Sequence, residues 1–165
     1  MNEEKHVQII DTGGTFNKIY NKTNGELEVD KSSIALNDIK NRWMADLDIV
    51  SIIGKDSLEM TELDRVQLVE AIHASNKNKI IVIHGTDTMD ITAQYIAEKV
   101  ENKTIVLTGA MVPYSVDRVE ATANLALALG SICATSDHSV YISMNGLFGK
   151  YDNVRKNKTL GRFVY

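Results

Sequence analysis

Four short runs of hydroxyl, glycine and acidic residues interrupt this chain, and each follows a stretch that reads as a β-strand: Thr12-Gly-Gly-Thr15, Gly54-Lys-Asp-Ser57, His84-Gly-Thr-Asp-Thr88 and Thr108-Gly-Ala-Met111. In an open parallel sheet, ligands sit outside the carboxyl ends of the strands, so all four runs are expected to face one crevice. Gly13 and Gly14 lack the Cβ that would keep a backbone N–H away from a ligand oxygen, as an oxyanion site requires, although a simple turn accounts for them equally well. Their spacing is neither G-x-G-x-x-G nor G-x-x-x-x-G-K-[ST], so the dinucleotide and P-loop readings fall away. Thr86 or Asp87 could serve as N-cap of a helix starting near Thr88, but a cap needs one side-chain oxygen and this run supplies three where helix partial charge favours a developing anion. A threonine hydroxyl attacks only after a base takes its proton. No His or Cys partner stands near Thr12, so a relay through Thr, Asp and Lys is the chemistry on offer. The Gly13 and Asp87 N–H groups are the expected oxyanion donors. His84 reads as a packed or capping residue. The four His and single Cys lack metal-ligand spacing, and no cofactor or metal is implied.

These runs need elements to hold them. Val7–Asp11, Leu47–Ile53, Lys79–His84, Thr104–Thr108 and Ser139–Ser143 read as strands. Thr61 and Asp64 resemble a capping box, and Leu63, Val66, Val69 and Ile72 then form an apolar stripe. Ile91, Tyr95, Ile96 and Val100 mark a second helix, and the Ala- and Leu-rich stretch from Val116 to about Ala134 a third. Asn24-Gly25 signals a hairpin turn within an otherwise unpatterned segment from Thr12 to Lys31. Strand and helix alternating in this way predict an α/β fold, an open, mostly parallel three-layer sheet with helices on both faces. The polar tail after Asn145, with Lys150, Arg155, Lys156, Lys158 and Arg162, reads by itself as a solvated terminus.

The composition narrows the function class. The chain has 165 residues, 44% hydrophobic and 24% charged, with 18 Lys plus Arg against 22 Asp plus Glu, for a formal charge of -4. That is one globular domain over 1–165, without the positive footprint that nucleic acid or anionic membrane demands. The segment from Met1 to His6 lacks the basic and long apolar regions of a secretory signal, no run is long enough to span a bilayer, and the lone Cys133 is expected to be a packed thiol. A cytoplasmic location follows as the expectation.

Taken together, Thr12-Gly-Gly-Thr15, Asp56-Ser-Leu-Glu-Met-Thr61, His84-Gly-Thr-Asp-Thr-Met89 and Thr108-Gly-Ala-Met111 with Pro113 resemble, in the same order, the bacterial-type L-asparaginase (asparaginase/glutaminase) family, from about Val7 to Phe163. The resemblance implies a Rossmann/flavodoxin-like domain and an amidohydrolase that converts L-asparagine to aspartate and ammonia through a threonine acyl-enzyme. Carried over by motif, Thr12 is the nucleophile. Thr86, Asp87 and Lys156 form the second cluster, with Lys158 and Lys150 as fallbacks for the lysine. Ser57 holds the substrate α-carboxylate, Asp87 pairs with its α-ammonium, Gly13 and Gly85 line the substrate, and Tyr20 matches a loop tyrosine that closes over it. Leu58, Phe16 and Asn17 depart from the family pattern and point to altered specificity. The resemblance implies a second domain in the family, which lends an Asn and a Glu across a head-to-tail pair, and 1–165 is expected to correspond to the N-terminal domain alone, with that second domain absent. The expectation is therefore a homodimer or higher homo-oligomer acting on a small amide, with an amino-acid-binding or sensing module lacking turnover as the alternative.

Overall fold

The computed structural model describes residues 7–165, so the readings that fall on residues 1–6 lie outside the described residues. In chain order the elements are β1 (Gln8–Gly13), β2 (Lys18–Asn21), β3 (Glu26–Val29), α1 (Ile34–Trp43), β4 (Asp48–Lys55), α2 (Glu62–Ala74), β5 (Lys79–Ile83), α3 (Met89–Ala97), β6 (Thr104–Thr108), α4 (Arg118–Ala134), β7 (Val140–Met144), β8 (Leu147–Lys150), β9 (Arg155–Asn157) and β10 (Arg162–Val164). The central sheet runs β4-β1-β5-β6-β7-β8. Its first five strands are parallel, and β8 returns antiparallel against β7.

Period-two alternation divides the apolar strands between two cores. Ile9, Ile81, Ile83 and Val106 pack with Leu36 and Ile39 of α1 and with Leu125 and Ile132 of α4. Their neighbours Ile10, Ile80, Val82, Ile105 and Leu107 pack with Leu68 and Ile72 of α2 and Met89 and Ile96 of α3. The predicted three-layer α/β sheet is what forms, and the capping box at Thr61 and Asp64 closes α2 as expected.

The helix faces need correcting. Leu63 is 79% exposed and Ile91 53% exposed, while Leu68, Val69 and Ile72 face the sheet in α2 and Met89, Ala93 and Ile96 in α3. Steps of three residues fall 60° short of a full turn, so a Leu63-Val66-Val69-Ile72 row swings from solvent to core instead of forming one stripe. Cys133 is exposed, not packed. It lies about 100° around the last turn of α4 from buried Ile132.

Two segments lie where no element was expected. Helix α1 carries Leu36, Ile39 and Trp43 at helical spacing, but its N-cap Ser33 is left-handed (φ 54°) and makes no capping bond. The helix is capped from outside by Asp30, which accepts the Ile34 N–H at 2.9 Å. The tail after Asn145 is not a solvated terminus. It folds into β8 and the β9-β10 hairpin, pinned by fully buried Val154 and by Phe163 at 3% exposure. Asn24-Gly25 does lie in the loop of a hairpin, joining β2 to β3.

Candidate active site

The end of β9 brings Lys156 back over the end of β5. Its Nζ donates to Thr86 Oγ1 at 2.9 Å and to Asp87 Oδ1 at 2.7 Å. Lys156 is the lysine the structure places there. Helix α3 starts at Met89, and its N-cap Thr88 makes no capping bond because its hydroxyl donates to the Ser57 carbonyl at 2.9 Å. Thr86 and Asp87 are therefore free of capping duty, and their side chains meet the ammonium instead. The Lys156 side chain is 16% exposed and that of Asp87 36%, so the ion pair is sheltered on one side and wet on the other.

Two glycines let the loops close on one another. A Cβ on Gly85 would stand 2.6 Å from Ser57 Oγ, and a Cβ on Gly14 would stand 2.5 Å from Gly85 N. The turn after β1, the turn after β5 and the Ser57 loop thus pack backbone to backbone. Ser57 is 1% exposed, and its Oγ accepts the Asp87 N–H at 3.2 Å, which leaves its own proton for another acceptor. Asp56, next to it, pairs with Lys18 at 2.6 Å and so ties this loop to β2.

Thr12 does not reach the crevice. It is fully buried, and its hydroxyl donates to the Ile83 carbonyl at 2.7 Å, stitching β1 to the end of β5. A strand residue whose neighbours on both sides are paired turns its side chain into the layer beneath, and a buried hydroxyl there must spend its proton on a carbonyl. Gly13 N–H donates to Asp11 Oδ1 at 3.0 Å and Gly14 N–H to the Lys55 carbonyl at 2.9 Å, so the expected oxyanion donor at Gly13 is already engaged. Thr15, on the short 3-10 turn that follows, is only partly buried, and its hydroxyl has no partner among the described residues. It is the hydroxyl of the motif that sequence reasoning passed over. The spacing offered two threonines, and the end of the strand buries the first and leaves the second partly exposed.

That turn is held by a buried network. The Asp11 carboxylate accepts Gly13 N–H, Asn17 Nδ2 at 2.7 Å and the Ser33 hydroxyl. Burial pushes its carboxyl up to about 6, against the Ser33, Gly13 and Asn17 hydrogen bonds that pull it down and with a small further push from Asp30. Asn17 and Phe16, read above as specificity departures, are buried parts of this support: Asn17 binds Asp11, and Phe16 stacks on Tyr114 with ring centroids 6.4 Å apart. Tyr20 stands 61% exposed on β2 and is not brought to the cluster. Thr108 of the fourth run is buried and donates to the Ser143 carbonyl, while Gly109 after it packs against the His84 backbone of the third run. His84 is packed. Burial pulls its imidazole down to about 4, Nδ1 donates to the Gly85 carbonyl at 2.7 Å, and Nε2 has no partner. No group of three or more His, Cys, Asp or Glu side chains placed to hold a metal occurs among the described residues, and no helix among them is long and apolar enough to cross a membrane.

Comparison with known proteins adds to this geometry. The family model described as Asparaginase, N-terminal matches residues 6–163. A probable periplasmic L-asparaginase of Haemophilus influenzae is 29% identical over 168 residues, covering 93% of this chain and 47% of that protein. A glutamyl-tRNA(Gln) amidotransferase subunit of Methanococcus vannielii is 30% identical over 152 residues, covering 86% of this chain and 34% of its own length. Among solved structures, the thermostable L-asparaginase from Thermococcus kodakarensis matches with a TM-score of 0.81 at 23% identity, over 96% of this chain and 50% of that one. The probable cytoplasmic L-asparaginase from Campylobacter jejuni matches with a TM-score of 0.81 at 24% identity, over 96% and 53%. These structures share the fold, and the chain spans about half of their length.

Proposed function

The chain belongs to the asparaginase N-terminal family, and from that premise we propose that it hydrolyses the side-chain amide of L-asparagine to aspartate and ammonia through a threonine ester. The observation that carries the reading is Lys156 Nζ bridging Thr86 Oγ1 and Asp87 Oδ1 from 70 and 69 residues away in sequence. Three groups able to hand on a proton meet on the loop whose Gly85 backbone packs against Gly14, the residue before the partly exposed Thr15.

The nucleophile in this reading is Thr15, in place of Thr12. Its Oγ attacks the amide carbon, its proton leaves with the departing ammonia, and an ester remains. Water then attacks that ester while Thr86, with Lys156 and Asp87 behind it, takes the water's proton, releasing aspartate and restoring Thr15. The Thr86 N–H, which makes no hydrogen bond among the described residues, supplies an oxyanion donor. Ser57 has a proton to give the substrate α-carboxylate, and the exposed side of Asp87 can meet the α-ammonium. Leu58, 73% exposed beside Ser57, offers no polar atom there. Pairing of two chains remains part of the proposal, supported by the exposed apolar side chains Val112, Val116 and Val119.

The test is ammonia release from L-asparagine, L-glutamine and small amides by the purified protein. Release that disappears in Thr15→Ala supports the reading, and no release from any amide overturns it. A second reading, a pocket that binds aspartate without turnover, draws on the Gly13 and Asp87 N–H groups that already donate within the chain. A melting temperature raised by aspartate in a protein that frees no ammonia is its signature.

A further inference from the structure

A cavity of about 410 Å³ opens between the Thr15 turn, α1 and the loop before α4, and none of Ser57, Thr86, Asp87 or Lys156 lines it. Its apolar floor is the buried Phe16–Tyr114 stack with Ala35, and its walls are Ile34 and Ile19 at 56% and 37% exposure, so apolar surface is left wet around an indentation of small-molecule size.

The polar lining is sorted by what is already committed. Both oxygens of Asp30 are occupied by N–H groups, of Ser32 at 3.0 Å and Ile34 at 2.9 Å. Asp38 accepts Arg42 Nε at 2.9 Å on one oxygen and the Tyr114 hydroxyl at 2.6 Å on the other, with Arg118 Nη1 3.7 Å away. The Tyr114 hydrogen bond, then Arg42 and Arg118, hold the Asp38 carboxyl below its ordinary range, so it stays ionised and occupied. The Lys18 ammonium is taken by Asp56, and the Ser115 hydroxyl by the Lys18 carbonyl. Donors are what remain. Arg42 spends only Nε, and Arg118, its guanidinium carbon 5.2 Å from the Tyr114 ring centroid, makes no hydrogen bond among the described residues. Both arginines approach the same carboxylate and both line the cavity, which puts two guanidinium groups with unspent donors at its Asp38 end.

We infer that this cavity is a second small-molecule site, for a carboxylate carried on an aromatic or branched aliphatic body, with Arg42 and Arg118 taking the carboxylate and Ile19, Ile34 and the rim of Tyr114 the body. An anion bonded by the two arginines, with Ile19 and Ile34 against its apolar end, uses the donors the fold leaves open. The site stands whether or not the chain hydrolyses an amide.

The probe is 3-phenylpropionate, with 3-phenylpropanamide as its neutral counterpart, followed by titration of the two-dimensional amide spectrum. Saturable shifts centred on Phe16, Ala35 and Tyr114, sparing Thr86 and Lys156, are expected, with the amide at least about tenfold weaker. Arg118→Gln and Ile34→Ala, both at exposed positions that leave the core intact, should each weaken the acid at least about threefold. The inference is overturned by an absence of saturation up to about 20 mM, by equal affinity for acid and amide, by shifts centred on Thr86 and Lys156, or by unaltered affinity in both variants.

Discussion

Asp11 and Asp87 stand at the ends of neighbouring parallel strands in opposite surroundings. Asp11 is 1% exposed and meets only neutral donors, from Ser33, Gly13 and Asn17. Asp87 keeps over a third of its side chain in water and holds an ammonium at 2.7 Å. Neutral donors replace only part of the lost hydration, so the buried carboxyl is driven upward to about 6. The difference separates two tasks. A carboxylate sealed among neutral donors fixes geometry, here that of the turn carrying Thr15. One that is wet and paired with a lysine can meet a charged substrate and pass protons to it.

The sharpest way to break this comparison is at the wet pair. Lys156→Met should lower ammonia release at least about a thousandfold, because it removes both the donor to Thr86 and the counter-charge of Asp87. The partly exposed pair should cost about 1 kcal/mol of stability or less. A variant that keeps wild-type turnover would leave the cluster without a role in the reaction.

The two threonines of the first motif give the next largest contrast. Thr15→Ala should abolish turnover while leaving the melting temperature within about 2 °C, since its hydroxyl bonds nothing in the fold. Thr12→Val should do the reverse. It removes the hydroxyl bond to the Ile83 carbonyl, which keeps its ladder pairing with β1, costs about 1 kcal/mol, and keeps turnover within about tenfold. The opposite pattern would return the nucleophile to Thr12, the position expected from the motif.

What was legible in the sequence follows the range of the interaction behind it. The parallel strands, the Thr61 capping box and the Asn24-Gly25 hairpin are set by neighbours and by period, and they form as expected. Lys156 was readable through the family motif, since nothing local distinguishes it from Lys150 or Lys158. Helix α1 was hidden because Ser33, its N-cap by position, gives its hydroxyl to Asp11 twenty-two residues away. The burial of Thr12, the threonine expected to attack, was hidden for a similar reason. Which threonine is buried depends on how Gly13, paired with Lys55, ends the strand, and that is a property of the sheet, not of the motif. Phe16 and Asn17 looked like departures from a substrate pattern because their partners, Tyr114 and Asp11, are assigned only by the fold.

The smallest expected effect tests the sealed carboxylate. Asp11→Asn can keep the network: its Oδ1 accepts Gly13 N–H and Asn17 Nδ2, and its amide nitrogen donates to Ser33 Oγ, which turns from donor to acceptor. In the wild type the folded carboxyl titrates at about 6 against an ordinary 3.8, so between these values the folded state binds more protons than the unfolded one. Stability contributed by the protonated form is complete below about pH 4 and is lost as pH rises through 6, and the flanking charges do not rescue it, since Asp30 adds repulsion and Lys55 directs its ammonium to Asp64 at 2.8 Å. Melting curves of wild type and Asp11→Asn should therefore nearly coincide at about pH 4, separate through pH 6, and above pH 7 differ by up to about 3 kcal/mol in favour of the asparagine variant. A constant gap at every pH would mean that Asp11 titrates alike in both states, and the contrast with Asp87 would then be one of position without charge.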